Sequence, residues 1–160
     1  MTQNVSLRDA SPDDEALVLG FVRDLATYEK LLHEVVADER KLGEALFGAR
    51  KHAEALIAEL AGVPVGFAVW FYTFSTFTGR PSLYVEDVFV KPEHRRGGIG
   101  LAIFRDLARR ALAQGCERMD WSVLDWNAPA IAFYQRIGAK PVRGWTVQRL
   151  AGDALAALAE

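Results

Sequence analysis

Two stretches of the sequence carry residue types that could do chemistry at a defined spacing. The first is Val88-Phe-Val-Lys-Pro-Glu-His-Arg-Arg-Gly-Gly-Ile-Gly100. An apolar run ends, glycines follow, and an amphipathic run begins. Amides in the first turn of a helix have no intrahelical acceptor, and the helix dipole places positive charge there, so this turn is an anion site. Glycine lets a phosphate approach the backbone closely. The P-loop pattern G-x-x-x-x-G-K-[ST] is absent, and the dinucleotide pattern G-x-G-x-x-G fails because Ile103 occupies the third glycine position. What remains is Arg95-x-x-Gly98-x-Gly100. The second stretch is the acid pair Glu86-Asp87 inside Leu83-Tyr-Val-Glu-Asp-Val-Phe-Val90, an otherwise apolar strand. Acids in a buried strand are costly unless paired or functional, and a carboxylate can take a proton from a reacting group. Neighbours on a strand point to opposite faces, so one of the two faces a site unless a bulge re-aims the other.

The elements that hold these residues can be read from periodicity and punctuation. Val5 and Leu7 alternate with polar residues as a first strand. Ser11 reads as a cap with Pro12 at the first helical position, and Leu17, Phe21, Leu25 and Tyr28 give a helix from Pro12 to Lys30. Asp38 caps a shorter helix through Phe47, which Gly48 stops. Residues 52–60 and 63–73 flank Ala61-Gly62 as a hairpin. A turn-rich loop, Ser75–Pro81, leads into a strand over Ser82–Val90. The helix after the glycines spans Ile99–Gln114, with Ile99, Ile103, Leu107 and Ala111 on one face and Gly115 as its end. A strand over Arg118–Leu124 follows, then a helix from the Asn127 cap through Arg136 with Gly138 as its stop. Two short strands, near Val142 and over Val147–Leu150, complete the expected sheet, and Asp153–Glu160 can add a helical turn. Alternating strands and helices in this order mean an α/β fold with a mixed sheet.

Composition bounds the rest. At 160 residues, 51% of them hydrophobic and 25% charged, the chain is a globular protein of one domain, residues 1–160. A net charge of −2 gives no basic excess for nucleic acid and no polybasic block for a membrane surface. The longest apolar stretch, around Phe67–Phe74, falls far short of the roughly 20 residues of a membrane helix. The opening MTQNVSLRDA lacks the basic and apolar regions of a signal peptide. Three His and one Cys are scattered, so no metal site is expected. The lone Cys116 excludes an internal disulfide framework, reads as a buried small residue, and fits a cytoplasmic location.

The Arg95–Gly100 segment resembles the signature of the Gcn5-related (GNAT) N-acetyltransferase superfamily. A second block, Val123-Leu-Asp-Trp-Asn-Ala-Pro-Ala-Ile-Ala-Phe-Tyr-Gln-Arg-Ile-Gly-Ala139, resembles that family's later strand–helix motif N-x-x-A-x-x-F-Y-x-x-x-G. The resemblance implies a single-domain GNAT fold with a mostly antiparallel central sheet flanked by helices, and acetyl-CoA as co-substrate. It implies that the amides of Arg96, Gly97, Gly98, Ile99, Gly100 and Leu101, with Arg95, hold the CoA pyrophosphate. Val88, Phe89 and Val90 would lie along the thioester, and Asn127, Pro129 and Ala130 along the CoA arm. Tyr134 would sit near the sulfur. Its plain alternative is a core aromatic beside Phe133, as a plain helix cap is for Asn127.

The chemistry of acetyl transfer explains the use of such residues. An amine with a free pKa of about 10.4 must lose a proton at pH 7 at a cost of roughly 4–5 kcal/mol. Glu86 or Asp87 can accept it, directly or through water. A backbone N–H beside the thioester can stabilise the oxyanion. Tyr134 is the candidate general acid for the departing thiolate.

Leu25-Ala-Thr-Tyr-Glu29, the pair Glu86-Asp87 and Asp125-Trp-Asn127 resemble the diamine (spermidine/spermine) acetyltransferases, and still more the sister enzymes that acetylate thialysine. In that subfamily Tyr28 and Glu29 would line the acceptor site with Asp87, Glu86 would be the base through water, and the protein would be a homodimer. The polyamine enzymes carry an acid and a Trp where this sequence has Ser75 and Phe77, so the loop offers less charge to a polycation and favours a smaller amine. Two other readings compete: acetylation of a peptide or protein amine, and a non-catalytic acyl-CoA sensor.

Overall fold

The computed structural model describes residues 4–160, which pack as two compact units meeting in sequence at Ser122 and Val123. In the first unit the elements run β1 (Val5–Asp9), α1 (Glu15–Tyr28), α2 (Glu39–Phe47), β2 (Glu54–Leu60), β3 (Val63–Ser75), β4 (Arg80–Val90), α3 (Ile99–Ala113) and β5 (Met119–Asp120). The strands form one sheet in sequence order, antiparallel from β1 to β4 and parallel between β4 and β5. The expected mixed, mostly antiparallel sheet is therefore present.

Local chemistry accounts for the boundaries. Pro12–Asp14 forms a 3-10 turn ahead of α1, because Asp14 accepts from the Ser11 amide at 2.8 Å and pulls the chain into a tight first turn. Arg8 of β1 grips the same carboxylate at 2.7 and 2.9 Å and holds its pKa down to about 2, joining β1 to the start of α1. Asp38 caps α2 by accepting from the Lys41 amide at 2.7 Å. Ala61 and Gly62 both take positive φ, 50° and 78°, the mirror-image turn that suits a two-residue hairpin. The loop expected over Ser75–Pro81 is shorter, because β3 runs to Ser75 and β4 begins at Arg80.

The sheet buries both faces. One face packs Leu56, Ala68, Trp70, Leu83 and Val85 against Ile99, Ile103 and Leu107 of α3. The other packs Ala55, Ile57, Phe67 and Phe89 against Val18 and Phe21 of α1 and Leu46 of α2. Phe21 and Phe67 stack with ring centroids 5.2 Å apart. Cys116 is buried and unbridged. Of the alternate aromatics Trp70, Tyr72 and Phe74 on β3, Trp70 is core while Tyr72 and Phe74 are exposed, because β3 extends beyond its pairing with β2.

β5 is shorter than the strand expected over Arg118–Leu124: only Met119 and Asp120 pair with β4, opposite Leu83 and Tyr84. From Val85 to Val90, β4 has no strand partner on that side among the described residues.

The second unit contains α4 (Ala128–Arg136) and α5 (Gly152–Leu158). Asn127 is buried and caps α4, its Oδ1 accepting from the Ala130 amide at 3.4 Å, and Gly138 turns the chain at φ 91°. The strands expected near Val142 and over Val147–Leu150 are not formed: residues 140–150 join no ladder, and Val142, Trp145 and Val147 are exposed. Apolar residues at strand-like spacing make a strand only where another backbone supplies hydrogen bonds.

Candidate active site

Tyr28 and Glu29 are fixed by how α1 ends. Lys30 takes the left-handed conformation at φ 62°, its amide bonds the Thr27 carbonyl at 3.1 Å, and the Leu31 amide reaches back to the Ala26 carbonyl at 2.8 Å. This double clasp usually uses glycine at the left-handed position. It locks the backbone on either side of Glu29, half-buried like Tyr28. Burial raises the Glu29 carboxyl pKa.

Glu86 and Asp87 sit at an irregularity in the β3–β4 ladder. Val69 pairs with Asp87 and Trp70 with Val85, so Glu86 is an extra residue, a bulge. Leu83 and Val85 face α3 before the bulge, and Val88 and Val90 face it afterwards. Asp87, opposite Val69, therefore turns toward the α1 and α2 face. Its carboxyl pKa is pushed up to about 6, first by burial, then by the charges of Glu86 and Glu29. Glu86 is exposed. The bulge and the α1 clasp thus bring three carboxyls into one electrostatic neighbourhood. Asp87, which resists ionising there, gains from an arriving ammonium.

The glycine loop lies at the end of the same strand. After a 3-10 turn at Pro92–His94, Arg96 takes φ 68° and Gly98 takes φ 82°, and α3 begins at Ile99. A left-handed arginine costs roughly 1–2 kcal/mol, and such strain clusters at functional loops. Gly98 is the N-cap and brings no side chain, whereas Asp38 and Asn127 cap α2 and α4. The first helical bond of α3 is from the Ala102 amide to the Gly98 carbonyl at 2.9 Å, so the amides of Ile99, Gly100 and Leu101 precede the ladder. Ile99 is buried and anchors the turn, while Gly97 and Gly98 are exposed. This uncapped helix start fits a phosphate-bearing group such as CoA.

Phe89, between Val88 and Val90, is buried in the α1-side core and leaves its backbone as the part able to serve a ligand. One contact is invisible in the local sequence: the Arg95 guanidinium stacks on the rings of Tyr28 and Phe89. Neither the glycine motif nor the α1 periodicity signals it, because it joins elements distant along the chain.

In the second unit, Asn127, Pro129 and Ala130 form the cap and first turn of α4. Tyr134 lies further along that helix, half-buried, with its ring edge-on to Phe133 at 5.7 Å. Ser75 and Phe77 occupy the β3–β4 turn, where the Ser75 carbonyl accepts from the Gly79 amide at 2.8 Å and Phe77 is exposed. Among the described residues no group of three or more His, Cys, Asp or Glu is placed to hold a metal ion.

The profile of the Acetyltransferase (GNAT) family matches residues 22–139, which include the acid pair, the glycine loop and α4. The chain belongs to the GNAT family of acetyltransferases. This GNAT acetyltransferase is 36% identical to the thialysine N-epsilon-acetyltransferase of Sus scrofa over 98% of both chains. Its fold superposes on that of the V. cholerae integron cassette protein VCH_CASS6 with a TM-score of 0.80 and 28% identity, covering 100% of this chain and 99% of that one. The aminoglycoside N-acetyltransferase AAC(6')-Iy, solved in complex with CoA, shares the fold at a TM-score of 0.74 and 19% identity, covering 92% of this chain and 95% of that one.

Proposed function

We propose that this GNAT acetyltransferase moves an acetyl group from acetyl-CoA to the primary amine of a small molecule of the thialysine type. The observation that carries the proposal is the acid pair Glu86-Asp87 at a bulge of the strand that leads into the glycine loop, with the charge of Glu29 felt at Asp87. Acids there suit a cationic acceptor, and the near-full-length likeness to a thialysine enzyme points to a small one.

In this reading Tyr28, Glu29 and Asp87 hold the amine. Glu86, exposed on its bulge, takes the ammonium proton directly or through water. The amides from Arg96 to Leu101 bind the pyrophosphate, and Asn127, Pro129 and Ala130 guide the pantetheine arm. A backbone N–H of the Val88–Val90 segment steadies the oxygen of the attacked carbonyl. Tyr134 donates a proton to the departing thiolate. Attack is direct, in a ternary complex, so no enzyme nucleophile is needed and Cys116 stays out of the reaction. The chain works as one domain over residues 1–160, as a homodimer in the cytoplasm, without metal, nucleic acid or membrane partner. Among the described residues no helix is long and apolar enough to cross a membrane.

Tyr134→Phe tests the reading against a CoA-binding sensor. CoA binding retained within about threefold, with turnover down about 10²-fold or more, supports catalysis through the phenol. Unchanged turnover removes Tyr134 from the mechanism.

A further inference from the structure

Arg95 opens the glycine motif, yet its side chain is engaged with Tyr28 and Phe89, on α1 and β4. Its Nε donates to the Val90 carbonyl at 2.9 Å. Its guanidinium carbon lies 4.5 Å from the centroid of the Tyr28 ring and 5.3 Å from that of Phe89. The residue is exposed overall, so close packing does not force this placement. What holds it is one hydrogen bond and two flat aromatic faces. A planar guanidinium can lie flat on the rings while its Nε donates; a lysine ammonium has no plane to lay on them.

Both ends of this contact are mechanically tied. Arg95 directly precedes Arg96, whose positive φ is part of the loop's fold, so a change in the loop moves Arg95. Tyr28 directly precedes Glu29, the α1 carboxyl whose charge is felt at Asp87. Phe89, the second ring, is two residues from Asp87 on β4.

We propose that Arg95 is a positioning residue that couples filling of the glycine loop to binding of the amine. When the loop closes on the pyrophosphate-bearing co-substrate, Arg95 is held against Tyr28 and Phe89, and the end of α1 is held with Glu29 toward Asp87. The amine then meets an ordered wall and binds more tightly. Linkage makes the effect reciprocal, so the amine tightens CoA by the same factor. The inference rests on the function proposed above and adds a role for the Arg95 side chain other than phosphate binding.

The test measures amine binding by calorimetry with and without saturating CoA, a pair that does not react. The amine is the best substrate of the wild-type protein. The proteins are wild type, Arg95→Gln, Arg95→Lys, Tyr28→Leu, Tyr28→Phe and the double variant Arg95→Gln with Tyr28→Leu. In the wild type, CoA tightens the amine by about five- to twentyfold. In Arg95→Gln, Arg95→Lys and Tyr28→Leu the factor falls to within about twofold of one, and the double variant falls no further than either single change. Tyr28→Phe keeps the ring and keeps the factor. CoA binding alone stays within about threefold in Tyr28→Leu, which also reports that the variant is folded.

An unchanged factor in Arg95→Gln overturns the proposal. So does a large loss of CoA affinity in Arg95→Gln with the factor unchanged in Tyr28→Leu, which makes the guanidinium a phosphate ligand. A wild-type protein that binds CoA but no amine at any CoA concentration removes the proposed function, and the coupling with it. That failure appears as an absence of amine binding in the wild type, whereas failure of the coupling alone appears as amine binding that CoA leaves unchanged in the wild type, or as an unchanged factor in the variants.

Discussion

Val69 of β3 stands opposite Asp87 of β4, and the next β3 residue, Trp70, stands opposite Val85, so Glu86 is left over between two paired positions. One inserted residue therefore reverses which side chains of β4 face α3. It also breaks the alternation that would send two adjacent acids to opposite faces. Membership of the family accounts for acetyl transfer; this bulge leaves Glu86 exposed next to Asp87, which pairs opposite Val69.

Asp87 should make both stability and, in the proposed reaction, activity depend on pH. Its carboxyl titrates near 3.8 when unperturbed and at about 6 in the folded chain, chiefly because of burial. The folded protein holds this proton more tightly than the unfolded one. Its contribution to stability is therefore largest below about pH 4, falls as pH rises to about 6, and levels off above. Asp87→Asn should flatten that slope and raise stability at pH 7.5 by about 1–3 kcal/mol in urea titrations. In kinetics, kcat/KM for the amine should rise as Asp87 ionises through about pH 6. The variant should lose that limb and show a higher amine KM. An unaltered pH profile in Asp87→Asn would remove Asp87 from amine binding.

Glu86 is the proposed base and contributes little packing, being exposed. Glu86→Gln should keep the fold and CoA affinity while lowering kcat about 10²- to 10⁴-fold near neutral pH. Part of the loss should return at high pH, where more of the amine is already deprotonated. Equal losses at every pH would point to a binding role instead.

Two glycines report on the backbone that supports the site. Gly98 sits at φ 82°, and a methyl group added there would meet open space, so Gly98→Ala suffers only conformational strain. It should cost roughly 1–2 kcal/mol in stability and weaken CoA, seen by calorimetry. Gly66 is different: a methyl there would lie 2.7 Å from the Phe89 carbonyl oxygen on the neighbouring strand. Gly66→Ala should push β3 and β4 apart and destabilise by about 1–3 kcal/mol in chemical denaturation. Wild-type stability for either variant would contradict the corresponding backbone geometry.

The grip of Arg8 on Asp14 should show in acid. The guanidinium holds that carboxyl down to about 2, so the stabilisation is present above the ordinary carboxylate range and is lost as pH falls toward 2. Arg8→Met should cost about 1–3 kcal/mol at pH 7 and shift acid unfolding upward. No change in the acid midpoint would mean that the pair contributes nothing to folding.

The parts of the structure legible in the sequence are those set by local chemistry. The Ala61-Gly62 turn, the Asp38 and Asn127 caps and the Gly138 stop each follow from one or two residue types at their own positions. The glycine loop is legible for the same reason, because the proposed anion site is made by a helix start and its own glycines. The bulge is only half visible. Leu83 and Val85 are apolar at odd positions, Val88 and Val90 at even ones, and that break of parity marks an inserted residue near Glu86-Asp87. The strands expected near Val142 and over Val147–Leu150 do not form because alternation shows which side chains could face a core, not which backbone pairs with them. The Arg95–Tyr28 stack is not legible at all, since it depends on how α1 and β4 meet.

Thiol release is the most direct test of acetyl transfer from acetyl-CoA to a small amine. The panel is thialysine, lysine, putrescine, spermidine, spermine and a short peptide. Turnover with thialysine or another small amine is expected, and little with spermine, because Ser75 and Phe77 put no charge in the β3–β4 turn. Preference for spermine would contradict that reading of the turn. Turnover of the peptide alone, or of nothing on the panel despite tight CoA binding, would contradict the proposed function itself.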